Sequence, residues 1–60
     1  MAPRFLSIAD VAEQLSISAQ AVRSLIRTGE LPAIQVGARG LWRIEVAALE
    51  DYIDKQYAHT

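Results

Sequence analysis

A chain of 60 residues with no cysteine has one hydrophobic core to rely on, without a disulfide framework or a thiolate zinc site to supplement it. Hydrophobic residues make up 52% of it, but ten are alanine, which leaves 21 large apolar side chains, enough for about three short elements. The net charge of −1 excludes an overall basic protein, yet residues 14–44 hold four arginines and one acid (4 − 1 = +3), while the flanks hold two cations and six acids (2 − 6 = −4).

In chain order, Ser7 is placed to cap a helix, because Asp10 three residues on completes a capping-box-like pair and Ile8, Val11, Ala12 and Leu15 recur at helical spacing. A first helix is predicted from Ile8 to about Leu15. Ser18 then caps a second helix running to Thr28, and Gly29 supplies the left-handed residue that ends it. Two short helices about a tight turn form a helix-turn-helix, and Ile17 in that turn is expected to pack between them and fix their angle.

Pro32 stops further helix, and Ala33 to Val36 and Leu41 to Ile44 carry strand-favouring residues on either side of Gly37-Ala38-Arg39-Gly40, which predicts a β-hairpin. From Glu45 to about Tyr57, Val46, Leu49, Tyr52, Ile53 and Tyr57 form the core-facing stripe of a third helix. The predicted fold is mainly α with a β-hairpin, in the order helix, helix, hairpin, helix. It is read as one compact domain ordered over about residues 5–57, with Met1 to Arg4 and Ala58 to Thr60 as loose ends.

The second helix is the most informative element. At ~100° per residue, Ile26, Ala19, Leu25 and Ala21 fall within about 100° of Val22, while Gln20, Arg23, Ser24 and Arg27 cluster opposite. Any amphipathic helix has a solvated face, but such faces usually mix signs to gain i,i+4 pairs of ~0.3 kcal/mol, and this one has no carboxylate. Gln and Arg also make bidentate contacts with adenine and guanine edges in the major groove. The face reads as a recognition helix with Ser18 and Gln20 nearest the DNA, Gln20 and Arg23 reading bases, Ser24 following, and Arg27 reaching a phosphate. Capping alone would explain Ser18.

The hairpin tip holds Arg39 between Gly37 and Gly40, as a wing presents a cation to a phosphate or to the minor groove, although Gly and Arg are also common in turns. Arg43 alternates away from Trp42 and Ile44, so it is exposed if Ile44 packs inward. A lone Trp in so small a chain is read as packing first.

Leu6-Ser7-Ile8-Ala9-Asp10-Val11-Ala12-Glu13-Gln14-Leu15, Ile17-Ser18, Val22, Leu25-Ile26, Gly29-Glu30-Leu31-Pro32, Val36-Gly37, Trp42-Arg43-Ile44 and Leu49 together resemble the excisionase-type winged helix domain, a relative of the MerR DNA-binding domain. The resemblance covers nearly the whole chain. It implies a bacterial or phage protein that inserts the second helix in the major groove and lays the wing on the neighbouring backbone, as a transcriptional regulator or a recombination directionality factor. The chain departs from that pattern at Ala19, Gln20, Ala21 and Gln35, where basic or Thr residues are frequent. Fewer cations release fewer counterions, so a weak monomer that needs cooperative copies, a protein partner or a bent site is expected.

A rival reading sets the same basic helix and wing against an acidic protein partner. Catalysis finds little support: the only histidine, His59, lies near the end, and no phosphate loop or paired acids in an evident cleft accompany it. Glu50, Asp51 and Asp54 read as a wet helix face beside Lys55 rather than a cation site, so no metal or cofactor is implied. No small-molecule effector is expected within this polypeptide. No apolar run approaches the ~18 residues of a membrane span, and Ser7 and Asp10 break the continuity a signal peptide requires, so a cytoplasmic, nucleoid-associated protein is expected.

Overall fold

A computed structural model of the chain describes residues 4–60, in the order β1 (Phe5–Leu6), α1 (Ile8–Leu15), α2 (Ala19–Arg27), β2 (Ile34–Val36), β3 (Leu41–Glu45) and α3 (Val46–His59). The strands form one antiparallel sheet in the order β1-β3-β2. Three helices with a hairpin between the second and third make the winged helix-turn-helix that the patterning predicts. No helix among the described residues is long and apolar enough to cross a membrane.

Local chemistry accounts for the first two helices. Ser7 Oγ accepts the Asp10 N–H at 3.1 Å and Asp10 Oδ2 accepts the Ser7 N–H at 3.1 Å, a complete capping box. Ser7 donors, the backbone N–H first and the hydroxyl second, hold the Asp10 carboxyl below the ordinary aspartate value of 3.8, and the positive charge of Arg43 adds to them. A depressed folded-state pKa contributes stability above 3.8 that is lost as pH falls through the folded value. The melting temperature is therefore expected to fall on acidification below 3.8, and to fall less in Asp10→Asn; superimposable profiles of the two proteins would show that the box does not contribute.

The turn after α1 is built differently from the expectation. Ser16, not a glycine, takes the left-handed conformation at φ 56°, and its N–H bonds Glu13 O at 3.2 Å while the Ile17 N–H bonds Ala12 O at 3.0 Å. These bonds close the turn, and Ile17 is 38% exposed rather than wedged between the helices. The helices meet instead in a cluster that includes Val11, Ala12 and Val22. Gly29 adopts φ 82° after α2 as expected, and the Leu31 N–H bonds Leu25 O, which turns the fully buried Leu31 into the core.

β1 was not among the predicted elements: two residues are too short to show a period, and they become a strand only by pairing Phe5 with Glu45 and Leu6 with Ile44. The same pairing holds Arg4, expected to be loose. Its carbonyl accepts the Val46 N–H at 2.8 Å, and its Nε lies 3.2 Å from Glu45 Oε2. Met1, Ala2 and Pro3 lie outside the described residues. At the other end α3 runs on through Ala58 and His59, past the expected stop near Tyr57. Leu49 is buried and Val46, Tyr52 and Ile53 are half-buried as the stripe requires, but Tyr57 is 78% exposed because α3 has outrun the core by that turn.

Candidate nucleic-acid interface

The second helix begins at Ser18, whose Oγ accepts the Ala21 N–H at 3.0 Å. That bond confirms the capping role and leaves the hydroxyl hydrogen available to an acceptor outside the chain. Gln20, Arg23 and Arg27 are all exposed, and their spacing of three and four residues sets them in one row along α2. They line a cleft of about 490 Å³ together with Ile26 and Trp42. Its far wall is β3, so the cleft exists only because the hairpin folds back beside α2.

Ser24 is half-buried and its hydroxyl accepts a hydrogen bond from Arg27 Nη2 at 3.2 Å. It does not line the cleft, and it acts on the Arg27 guanidinium. Arg39 stands exposed at the hairpin tip, where Gly37 and Gly40 take φ 78° and 65°. Non-glycine side chains rarely adopt these angles, so the two glycines are what allow so tight a tip. Gln35 Nε2 donates to Gly40 O at 3.3 Å, bracing the base of the tip from the adjacent strand.

Arg43 differs from the sequence expectation. Ile44 is fully buried, which was the condition for an exposed Arg43, yet Arg43 is only half-exposed and its Nη1 donates to Trp42 O at 2.7 Å. The reason is the sheet: β3 is its central strand, Ile34 of β2 lies opposite Arg43, and the pairing of Leu6 with Ile44 brings the start of α1 alongside. Alternation describes which way a side chain leaves the strand and says nothing of the neighbours it meets.

Trp42 was assigned to packing, and it does pack against the core, but it is half-buried and its other side lines the cleft with Gln20, Arg23 and Arg27. Its alternation with Ile44 was the available signal, since the face it shares with a core residue is the face turned to the helices.

The charge pattern follows the layout. Among the described residues the ion pairs are Arg4–Glu45 and Lys55–Asp51, and none of Arg23, Arg27, Arg39 and Arg43 takes part in either. No carboxylate lines the α2 cleft, whereas Glu50, Asp51 and Asp54 are exposed on α3. A positive α2 and wing beside a negative α3 orients the molecule in the field of a polyanion.

Comparison with known proteins agrees with this geometry. A family model described as a helix-turn-helix domain matches residues 5–57, from β1 into the last turn of α3. Two curated proteins, from two strains of Mycobacterium tuberculosis and both named provisionally as DNA-binding proteins, are each 33% identical over 54 residues, covering 90% of this chain and 67% of their own. With a family model spanning nearly its whole length and relatives that match over most of theirs, this chain belongs to the helix-turn-helix domain family.

Proposed function

We propose that the protein binds duplex DNA, with α2 in the major groove and the hairpin as a wing on the adjoining backbone. The observation that carries this reading is the α2 cleft, in which Gln20, Arg23 and Arg27 stand in one row against Trp42 with no carboxylate among them. An α-helix with its side chains is about 10–12 Å across, which a major groove of about 12 Å admits, and the nine residues of α2 extend about 14 Å along their axis. Gln20 and Arg23 face base edges, Ser18 meets the flanking strand at the helix start, Arg27 reaches a phosphate under the hold of Ser24, and Arg39 and Arg43 serve the wing side. The names of the mycobacterial relatives support the DNA assignment, and family membership supports a binding role over a catalytic one.

On this reading the protein is a small transcriptional regulator or an excisionase-like recombination factor. With few cations on α2 a single copy holds DNA weakly and gains affinity from neighbouring copies, a protein partner or a bent site. The test is an NMR titration of the labelled protein with a short duplex at low salt, repeated with Arg23→Ala and Arg39→Ala. Shifts concentrated in residues 18–27 and 37–43, weakened by either change, are the expected result. A folded protein that shows no shifts would overturn the reading and direct attention to an acidic protein partner.

A further inference from the structure

The sheet has two faces, and the core takes only one. Leu6 and Ile44, paired across β1 and β3, are buried on the inner face. By alternation the outer face carries the pairs Phe5–Glu45, Ile34–Arg43 and Val36–Leu41. Of the six large apolar residues left exposed among the described residues, four are on this face: Phe5 at 38%, Ile34 at 50%, Val36 at 46% and Leu41 at 47%. Toward α3 the face dips into a hollow of about 90 Å³ bordered by Pro32, Ala33 and Ala48, and toward the wing tip Val36 and Leu41 stand clear of it. So much apolar surface gathered on one side of so small a domain marks a contact surface.

The charges on the face decide what covers it. Arg4 pairs with Glu45 at 3.2 Å, and the Arg43 charge acts on Asp10 at the neighbouring edge. With two cations and two acids (2 − 2 = 0) the face draws neither a polyanion nor a basic partner. Its order along β3 from the wing inward is apolar, cation, acid, hollow. Turned about a two-fold axis at the level of Ile44, that order is complementary to itself. Arg43 of each copy meets Glu45 of the other, Ile34 meets Pro32, and Val36 and Leu41 reach the hollow beside Ala48. Three strands span about 14 Å and the five residues of β3 about 17 Å, so two copies bury well under the roughly 1,200 Å² of a stable interface. The association is therefore weak and reversible.

We propose that the outer face of the sheet is where a second copy of this chain docks, in a weak two-fold dimer with the β3 strands antiparallel. The proposal does not depend on DNA, since Trp42 points to the other side of β3 and lines the α2 cleft there with Gln20, Arg23 and Arg27. Where the DNA-binding reading holds, the face is the surface through which neighbouring copies meet. It leaves both α2 helices free for two half-sites in inverted order. In the dimer the Arg43 charge goes to Glu45, and the wing contact falls to Arg39.

The test is sedimentation velocity of the wild type from micromolar to millimolar concentration without DNA, with amide spectra of the labelled protein over the same range. The weight-average mass is expected to climb toward that of two copies, with shifts at residues 34–36 and 41–45 and none at 18–27. Ile34→Thr keeps a strand-favouring residue, so its melting temperature holds. Its dimer dissociation constant is expected to rise on the order of tenfold, because the apolar side chain is lost from both copies. Arg43→Glu and Glu45→Arg each set like charges against one another and stay monomeric alone, but a mixture of the two restores opposite pairs and associates. The proposal is overturned if the wild type stays monomeric at millimolar concentration, if the shifts fall elsewhere, such as residues 52–60, if Ile34→Thr associates as the wild type does, or if the mixture associates no more than its components. If Arg43→Glu does not fold, the first three results decide. A wild type that dimerises but binds no duplex overturns the DNA reading alone, and one that binds duplex but never dimerises overturns this proposal alone.

Discussion

Leu31→Ala is expected to cost the protein a large part of its stability and, at the upper end of that cost, to unfold it at physiological temperature. Leu31 has no exposed surface, and it sits where the chain leaves α2 for the hairpin, its backbone tied to Leu25 and its side chain in the central cluster. Truncating a buried leucine costs about 2–5 kcal/mol, from the lost apolar transfer and the cavity left behind. At about 0.05–0.15 kcal/mol per residue, a domain of 60 residues has only about 3–9 kcal/mol in total. Each lost kcal/mol lowers the melting temperature of so small a domain by about 4–8 °C. Thermal unfolding followed by circular dichroism should therefore show a fall of at least about 8 °C or no cooperative transition at all. A loss under about 1 kcal/mol would mean that the loop can collapse onto the gap, and that Leu31 is not the pin between α2 and the wing that its burial implies.

The second large effect concerns binding. Arg23 is exposed and takes no part in the ion pairs of the described residues, so Arg23→Ala should leave the melting temperature nearly unchanged. Because it stands between Gln20 and Arg27 in the row along the α2 cleft, its loss is expected to weaken the proposed base contacts. A reduction in duplex affinity of about 1–3 kcal/mol is expected, roughly 5- to 150-fold. Arg39→Ala, which removes a single cation from an exposed tip, should lose less and should lower the salt slope by about 1. Fluorescence anisotropy of a labelled duplex at several salt concentrations measures both. Equal losses for the two variants would contradict the central position given to Arg23.

Much of the fold was legible because its signals are local. Ser7 with Asp10 and Ser18 are caps whose partners lie three residues away, so a reader of the chain holds both halves of each bond. Gly29, Gly37 and Gly40 mark positive φ for reasons confined to one residue. The row of Gln20, Arg23 and Arg27 was legible in the same way, since helical spacing alone sets them on one face. Ser24 shared that angular sector but turned out half-buried and bonded to Arg27, because a sector of a helix does not say which side-chain partner a hydroxyl takes.

What escaped the sequence depends on residues far apart in the chain. β1 exists through its pairing with β3, some 40 positions away, and the same contact holds Arg4 and starts α3. Ser16 carries a left-handed angle that its residue type does not announce, since only the bonds to Ala12 and Glu13 select it. Ile17 in the turn and Tyr57 at helical spacing are both apolar yet lie open, because an apolar residue's place in the chain identifies the side of an element and not how far the core extends to meet it.

By itself, then, the sequence determined three helices, a glycine-bracketed hairpin and a carboxylate-free basic row on α2, all consequences of bonds and angles within a few residues. Only the tertiary structure decided that Trp42 would stand across from that row, that Arg43 would be half-covered and tied to a carbonyl, and that the start of α1 would close a second cleft with Arg23. Those arrangements follow from strand register and from the packing of β3 against α1 and α3, and both are set by the burial of Leu6, Leu31 and Ile44 in one shared core.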